Sequence, residues 1–213
     1  MEDISVITNT EETALRWKNE SDVDVFYGGY VKVLPESANP FDLVIVATPL
    51  HELRPAASEA VKFGNKNILV EKPTGLYSGS LEEWRRQIPE DVRIRIAYNR
   101  LVYPSLWKLK DIICRNEEKI TSCFYTFTEW PHTIYFDNNK PECYQRWGIV
   151  NSLHVISMAH SLTGLPVELS AQRWGRFHGT RRGHSLQGLA GPNEILFFPI
   201  MRIGNRRAGG GLR

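Results

Sequence analysis

The chain has 213 residues, 42% of them hydrophobic, and a formal net charge of +2, which allows one large or two small domains around a real core. No stretch approaches the roughly 20 apolar residues that span a bilayer, and the acidic start Met1-Glu2-Asp3 does not read as a secretory signal. Cys114, Cys123 and Cys143 are odd in number and form no C-x-x-C pair, so no metal site and no disulfide framework is expected, and a reducing cytoplasm is the default.

In chain order, the opening run Met1 to Asn9 reads as a strand and residues 11–19 as a helix. Asn9 stands where a cap belongs, with Glu12 at the third helical position as in a capping box. The adjacent Gly28-Gly29 pair is expected to open no helix, and no G-x-G-x-x-G occurs anywhere. Backbone donors that would hold a pyrophosphate at a helix start are therefore not expected.

Residues 42–73 are the most informative. Leu43 to Val46 is a continuous apolar run, as in a strand covered on both faces of a parallel sheet. Thr48-Pro49 ends it, and Thr48 is placed to cap the next helix. Residues 52–63 have the composition of that helix, with Leu53, Ala56, Ala57, Ala60 and Val61 on one side and Gly64 at the C′ position. Ile68 to Val70 is a second strand running into Glu71-Lys72-Pro73. Ligands of open α/β sheets bind beyond the carboxyl ends of the strands, so Thr48-Pro49-x-His51 and Glu71-Lys72-Pro73 are expected to point at one site.

Further on, Val92 to Ala97 is a strand, and a helix runs from Tyr103 or Pro104 to Cys114. Residues 120–129, rich in β-branched and aromatic side chains, predict a strand. Residues 130–146 predict a loop, residues 149–162 a helix ending at Gly164, and the region of 168–174 a further strand. Beyond Gly175 the texture changes. Residues 171–213 hold eight Arg, no Lys and one acid, Glu194, a net charge of +7 against −5 for the remainder. A disordered basic tail, a nucleic-acid-binding tail and translation in a wrong reading frame all account for such a switch.

The strand exits resemble a known family. A strand ending in T-P-x-H, followed about 20 residues later by E-K-P, is similar to the Gfo/Idh/MocA oxidoreductases. Tyr98-Asn99-Arg100 resembles that family's next strand exit, and residues 147–164, with His154 and Leu162-Thr163-Gly164, its helix bearing the catalytic histidine. Two positions depart from the pattern: the family's Asp four residues before the histidine is Val150 here, and the acid often found three residues after it is Ser157. The resemblance covers roughly residues 4 to 170.

The resemblance implies hydride transfer between NAD or NADP and a sugar, nucleotide-sugar or polyol hydroxyl. Lys72 and His154 would be catalytic. Asn9, Thr48, Pro49, His51, Glu71, Lys72 and Asn99 would line the cofactor, and Arg100 and Asn151 the substrate. Glu71 would orient Lys72. The fold implied is a Rossmann-type parallel sheet without its first strand, over residues 1–100. The start of an α+β substrate domain comes next over 101–175, then an Arg/Gly-rich tail over 176–213. Intact relatives oligomerise through the C-terminal sheet. On this reading residues 4–8 are strand 2 of the order 3-2-1-4-5-6, in which strand 1 is central. The sheet must then close that gap, recruit another strand, or leave two ladders unpaired. One shifted frame of the codons from Pro199 permits D-H-A-D-W-E-S-A-G-R-W, similar to a run near the end of some family members. Against the dehydrogenase stand an inactive remnant without a stable cofactor site and, on charge alone, a basic-tailed nucleic-acid-binding protein.

Overall fold

The computed structural model describes residues 3–36, 39–117, 120–125, 143, 147–165, 168–170 and 200–202. The chain divides into two compact units, Met1–Ala97 and Tyr98–Arg213.

The first unit is built of β/α repeats. Strand β1 (Ser5–Thr8) leads into helix α1 (Glu11–Glu20), then β2 (Asp24–Tyr27) and the short helix α2 (Tyr30–Glu36). Strand β3 (Val44–Val46) passes through a 3-10 turn, Leu50–Glu52, into α3 (Leu53–Lys62). Strand β4 (Asn67–Val70), α4 (Ser78–Gln87) and β5 (Arg93–Ile96) complete the unit. Every ladder is parallel, and the strands form two sheets, β1-β2 and β3-β4-β5. The inner edges of β1 and β3 carry no ladder partner among the described residues. Of the three arrangements expected above, the one observed among the described residues is two separate ladders.

One apolar cluster serves both sheets. Leu34, Val46, Leu53, Ala56, Ala57, Ala60, Ile68 and Val70 form its centre, and Ile7 of β1 packs against it. Alternation places Val44 and Val46 on this face and Ile45 on the other. Alanines at three α3 positions let the helix lie close on β3 and β4. Asn65, 1% exposed, fastens the connection: its amide donates to the Ala60 carbonyl (2.8 Å) and its Oδ1 accepts from the Phe41 N–H (2.7 Å). Gly64, at φ 82°, takes the left-handed conformation that a C′ glycine supplies cheaply.

Several local expectations are corrected. The cap of α1 is Thr10, whose hydroxyl accepts from the Thr13 N–H, and not Asn9. Thr48 does not cap α3: the 3-10 turn intervenes, and no side chain caps either start. Gly28-Gly29 does open a helix. Both residues have positive φ, and the Gly29 carbonyl accepts from Lys32 and Val33. The β-branched Val31 and Val33 and the Pro35 inside α2 hid it.

In the second unit, helix α5 (Pro104–Arg115) begins with Pro104 at its first turn, as expected. Helix α6 (Trp147–Thr163) ends at Gly164, φ 78°, whose N–H bonds the His160 carbonyl at 2.8 Å. Residues 120–125 carry no strand, contrary to their composition, and residues 126–142 lie outside the described ones. Strand β6 (Glu168–Ser170) pairs antiparallel with β7 (Ile200–Arg202), so three residues of the Arg/Gly-rich segment are in a ladder. The rest of 176–213 lies outside the described residues.

Candidate active site

The carboxyl ends of β1 to β4 gather most of the residues singled out from sequence. The Glu71 N–H bonds the Val46 carbonyl at 2.9 Å, which brings the exits of β3 and β4 side by side. Thr48, Pro49 and His51 therefore share one end of the sheet with Glu71 and Lys72. The Thr48 hydroxyl and the His51 Nδ1 are buried and have no hydrogen-bond partner among the described residues. A polar atom out of water without a partner costs about 1–3 kcal/mol. Both atoms lie at one strand exit, where they are free to bond a ligand's hydroxyl groups.

Glu71 bonds the backbone of its neighbour. Its Oε2 accepts from the backbone N–H of Lys72 at 2.6 Å, which fixes the turn. Thr74, buried and at φ 52°, donates to the Glu71 carbonyl at 2.9 Å and holds the same turn from the other side. The Lys72–Pro73 peptide is cis. Asn9, exposed at the exit of β1, sits against Gly29: a side chain on Gly29 would meet the Asn9 Oδ1 at 3.0 Å.

Two residues of this end were not singled out from sequence. The Tyr30 hydroxyl donates to Glu52 Oε2 at 2.5 Å, and Glu52 Oε1 stands 3.7 Å from His51 Nε2. Burial, and then the bond to Glu52, push the Tyr30 phenol up to about 12. This pair ties the exit of β2 to the exit of β3 across the unpaired edges. No local signal marks a Tyr and a Glu 22 residues apart as partners, because the tie depends on α2.

Asn99, Arg100, Asn151 and His154 belong to the second unit. Helix α6, which carries His154 and Asn151, packs against the 3-10 turn Asn99–Val102. Helix α5 packs on the same turn, and Trp107 Nε1 donates to the Leu101 carbonyl at 2.8 Å. The four sequence-predicted residues of this unit thus lie on two touching elements. Asn99 is exposed, Arg100 and His154 are half-buried, and the side chain of Asn151 lies outside the described part. The Ser157 hydroxyl donates to the His154 carbonyl at 2.9 Å, and Val150 is buried, so neither takes the part of the acid expected there. Burial raises the phenol of Tyr98, at the start of this turn. Among the described residues no cluster of His, Cys, Asp and Glu is placed to hold a metal ion, and no helix is long and apolar enough to cross a membrane.

No protein-family model matches the chain, and no curated protein matches it in sequence. Solved structures do match it in fold. One is yvaA of Bacillus subtilis, assigned as an oxidoreductase, at 16% identity and TM-score 0.64, over 93% of this chain and 53% of that one. An oxidoreductase of Agrobacterium radiobacter, solved with NAD+, L-tartaric acid and magnesium, matches at 13% identity and TM-score 0.61, over 81% and 50%. Biliverdin reductase of Synechocystis, solved with biliverdin and NADP+, matches at 19% identity and TM-score 0.55, over 79% and 53%. The chain thus has the α/β fold, with its parallel sheets, of a group of NAD- and NADP-binding oxidoreductases. It spans about half the length of these three proteins.

Proposed function

We propose that this chain carries the catalytic positions of a Gfo/Idh/MocA-type oxidoreductase, which moves hydride between nicotinamide and a sugar, nucleotide-sugar or polyol hydroxyl. The observation that carries the reading is the joined exit of β3 and β4, with buried, unpartnered Thr48 Oγ1 and His51 Nδ1 beside the Glu71-Lys72-Pro73 turn. Those two atoms suit ribose hydroxyls. Thr48, Pro49, His51, Glu71 and Lys72 would hold the nicotinamide half of NAD or NADP, with Asn9 toward the adenosine end, and Asn99 of the second unit is a further cofactor-binding candidate. The bound dinucleotide supplies the hydride acceptor.

The protein's own part is proton handling and orientation. Lys72 sets a cation beside the reacting hydroxyl and favours its developing alkoxide. The imidazole of His154 takes the hydroxyl proton, a role for a group that titrates near neutrality. Arg100 and Asn151 bind other substrate hydroxyls. The pyrophosphate is less well served: the turn Asn9-Thr10 after β1 has no glycine, and α2 after Gly28-Gly29 has only seven residues. Charge-assisted bonds of about 1.5–3 kcal/mol each are missing there, so NAD(H) is expected to bind in the millimolar range or weaker.

Saturation-transfer NMR with NADH reads affinities of that order. The expected result is transfer to the nicotinamide and adjoining ribose protons, diminished in Lys72→Ala and in Thr48→Val. Transfer confined to adenine, or unaffected by both changes, would overturn the assignment of this end of the sheet.

A further inference from the structure

Three side chains at the exits of β2 and β3 stand in a row. The Tyr30 hydroxyl donates to Glu52 Oε2 at 2.5 Å, and Glu52 Oε1 lies 3.7 Å from His51 Nε2. The other ring nitrogen, His51 Nδ1, is buried and has no hydrogen-bond partner among the described residues. The backbone leaves this row little freedom. His51 and Glu52 belong to the 3-10 turn Leu50–Glu52, which the Glu52 N–H closes onto the Pro49 carbonyl at 2.8 Å. Leu50 packs on the core and Leu53, 1% exposed, is sunk in it, so both ends of the turn are anchored. Tyr30 is carried by α2, whose Leu34 belongs to the same core.

The chemistry of the row runs in one direction. Burial, and then the bond to Glu52, push the phenol up to about 12, so Tyr30 remains a donor at neutral pH. Its proton occupies one carboxylate oxygen of Glu52 and leaves the other toward the imidazole. A neutral imidazole carries one N–H, and the surroundings of its two nitrogens decide which of them bears it. A carboxylate near Nε2 attracts the proton there, while no acceptor stands beside Nδ1. Nδ1 is then a lone pair out of water, and only a donor can satisfy it. Thr48 Oγ1, the other buried, unpartnered atom of this exit, can donate or accept. A phosphate oxygen brings Nδ1 no proton and meets the charge of Glu52. A hydroxyl brings a proton and no charge.

We propose that Glu52, braced by Tyr30, is a positioning residue that keeps the His51 proton on Nε2, so that Nδ1 accepts a hydrogen bond from a ligand hydroxyl and the strand exit selects a hydroxyl over a phosphate. Assigning that hydroxyl to the ribose of the nicotinamide half rests on the oxidoreductase reading. The position of the ring proton does not, and it can be read in the free chain.

Long-range proton–nitrogen NMR of the imidazole reads it in the whole 213-residue chain, at about pH 8.5, well above the ordinary histidine value of about 6.5. His51 is expected with its proton on Nε2 and a bare Nδ1. Glu52→Gln keeps an oxygen for the Tyr30 hydroxyl and removes the charge. It should retain a sharp urea transition while His51 shows both tautomers, which a purely structural role for Glu52 would not produce. Tyr30→Phe, which releases the carboxylate, should shift the tautomers in the same direction. NADH should move the Nδ1 signal, and inorganic phosphate at the same concentration should not. Glu52→Gln should weaken the response to NADH about 5-fold, the scale of one hydrogen bond. A proton on Nδ1 in the unaltered chain, or tautomers that neither substitution disturbs, would overturn the proposal and leave the oxidoreductase reading standing. So would an Nδ1 signal that phosphate moves as NADH does. A tautomer that follows Glu52, in a chain whose Nδ1 signal NADH leaves in place, would support the positioning and overturn the cofactor assignment instead.

Discussion

Ile45 and Val46 are neighbours in one three-residue strand, and their surroundings are opposite. Val46 is 4% exposed, packed under α3 with Ile68 and Val70, while Ile45 is 65% exposed on the other face. The same contrast runs through the first unit: the face under α2 and α3 is a finished core, and the face of Ile45 has no helix over it among the described residues. Both faces of β3 are equally apolar in sequence. What separates them is which described helices pack on each face, α2 and α3 on the one and none on the other.

The contrast is broken most severely from the finished side. Ile68→Ala deletes methyl groups from a fully buried position and should cost about 2–5 kcal/mol, read as a lowered urea midpoint. Ile45→Thr should stay within about 0.5 kcal/mol, as for an exposed substitution. Equal losses at the two sites would mean that both faces are covered.

Tyr30→Phe comes next. It removes the donor to the Glu52 carboxylate, worth about 1.5–3 kcal/mol for a hydrogen bond to a charged group, and with it the tie between the two sheets. The same bond gives a pH signature. The phenol is raised from 10.0 to about 12 in the folded chain, so the folded state holds its proton more tightly than the unfolded one. Its contribution to stability is complete below about pH 10 and fades as the pH rises toward 12. In Tyr30→Phe this part of the alkaline fall should be absent, as a comparison of melts at about pH 9 and about pH 11.5, either side of the unfolded value, can decide.

Turnover separates the two histidines of α6. On the proposed function, His154→Ala should lower turnover about 100-fold or more, the range of a general base. His160→Ala should change it little. The reverse ranking would shift the whole alignment of α6 onto the proposed chemistry.

Much of this was legible in sequence, for reasons that can be named. The apolar run Leu43–Val46, the alanines of α3 and the glycines at 64 and 164 are local signals, and each fell within a residue or two of its element. The joined exits of β3 and β4 accord with the general placement of ligands in parallel sheets. The corrections share a different cause. Helix α2 is spelled with valines and a proline, and only its packing of Leu34 on the shared core makes it helical. Residues 120–125 have strand composition but no ladder partner in the described part. The Tyr30–Glu52 tie needs α2 and the 3-10 turn together, so no window of sequence contains it.

Everything above turns on the first unit holding two separate parallel ladders, tied at the end where the proposed site lies. Residue-by-residue hydrogen exchange of the free chain tests this most directly. The amides of Ile7 and Ile45 are expected to exchange about 100-fold or more faster than that of Val46 and those along Ile68–Val70, because protection tracks ladder bonding and burial. Protection of Ile7 and Ile45 equal to that of β4 would show those strand edges already paired, and would contradict two separate ladders.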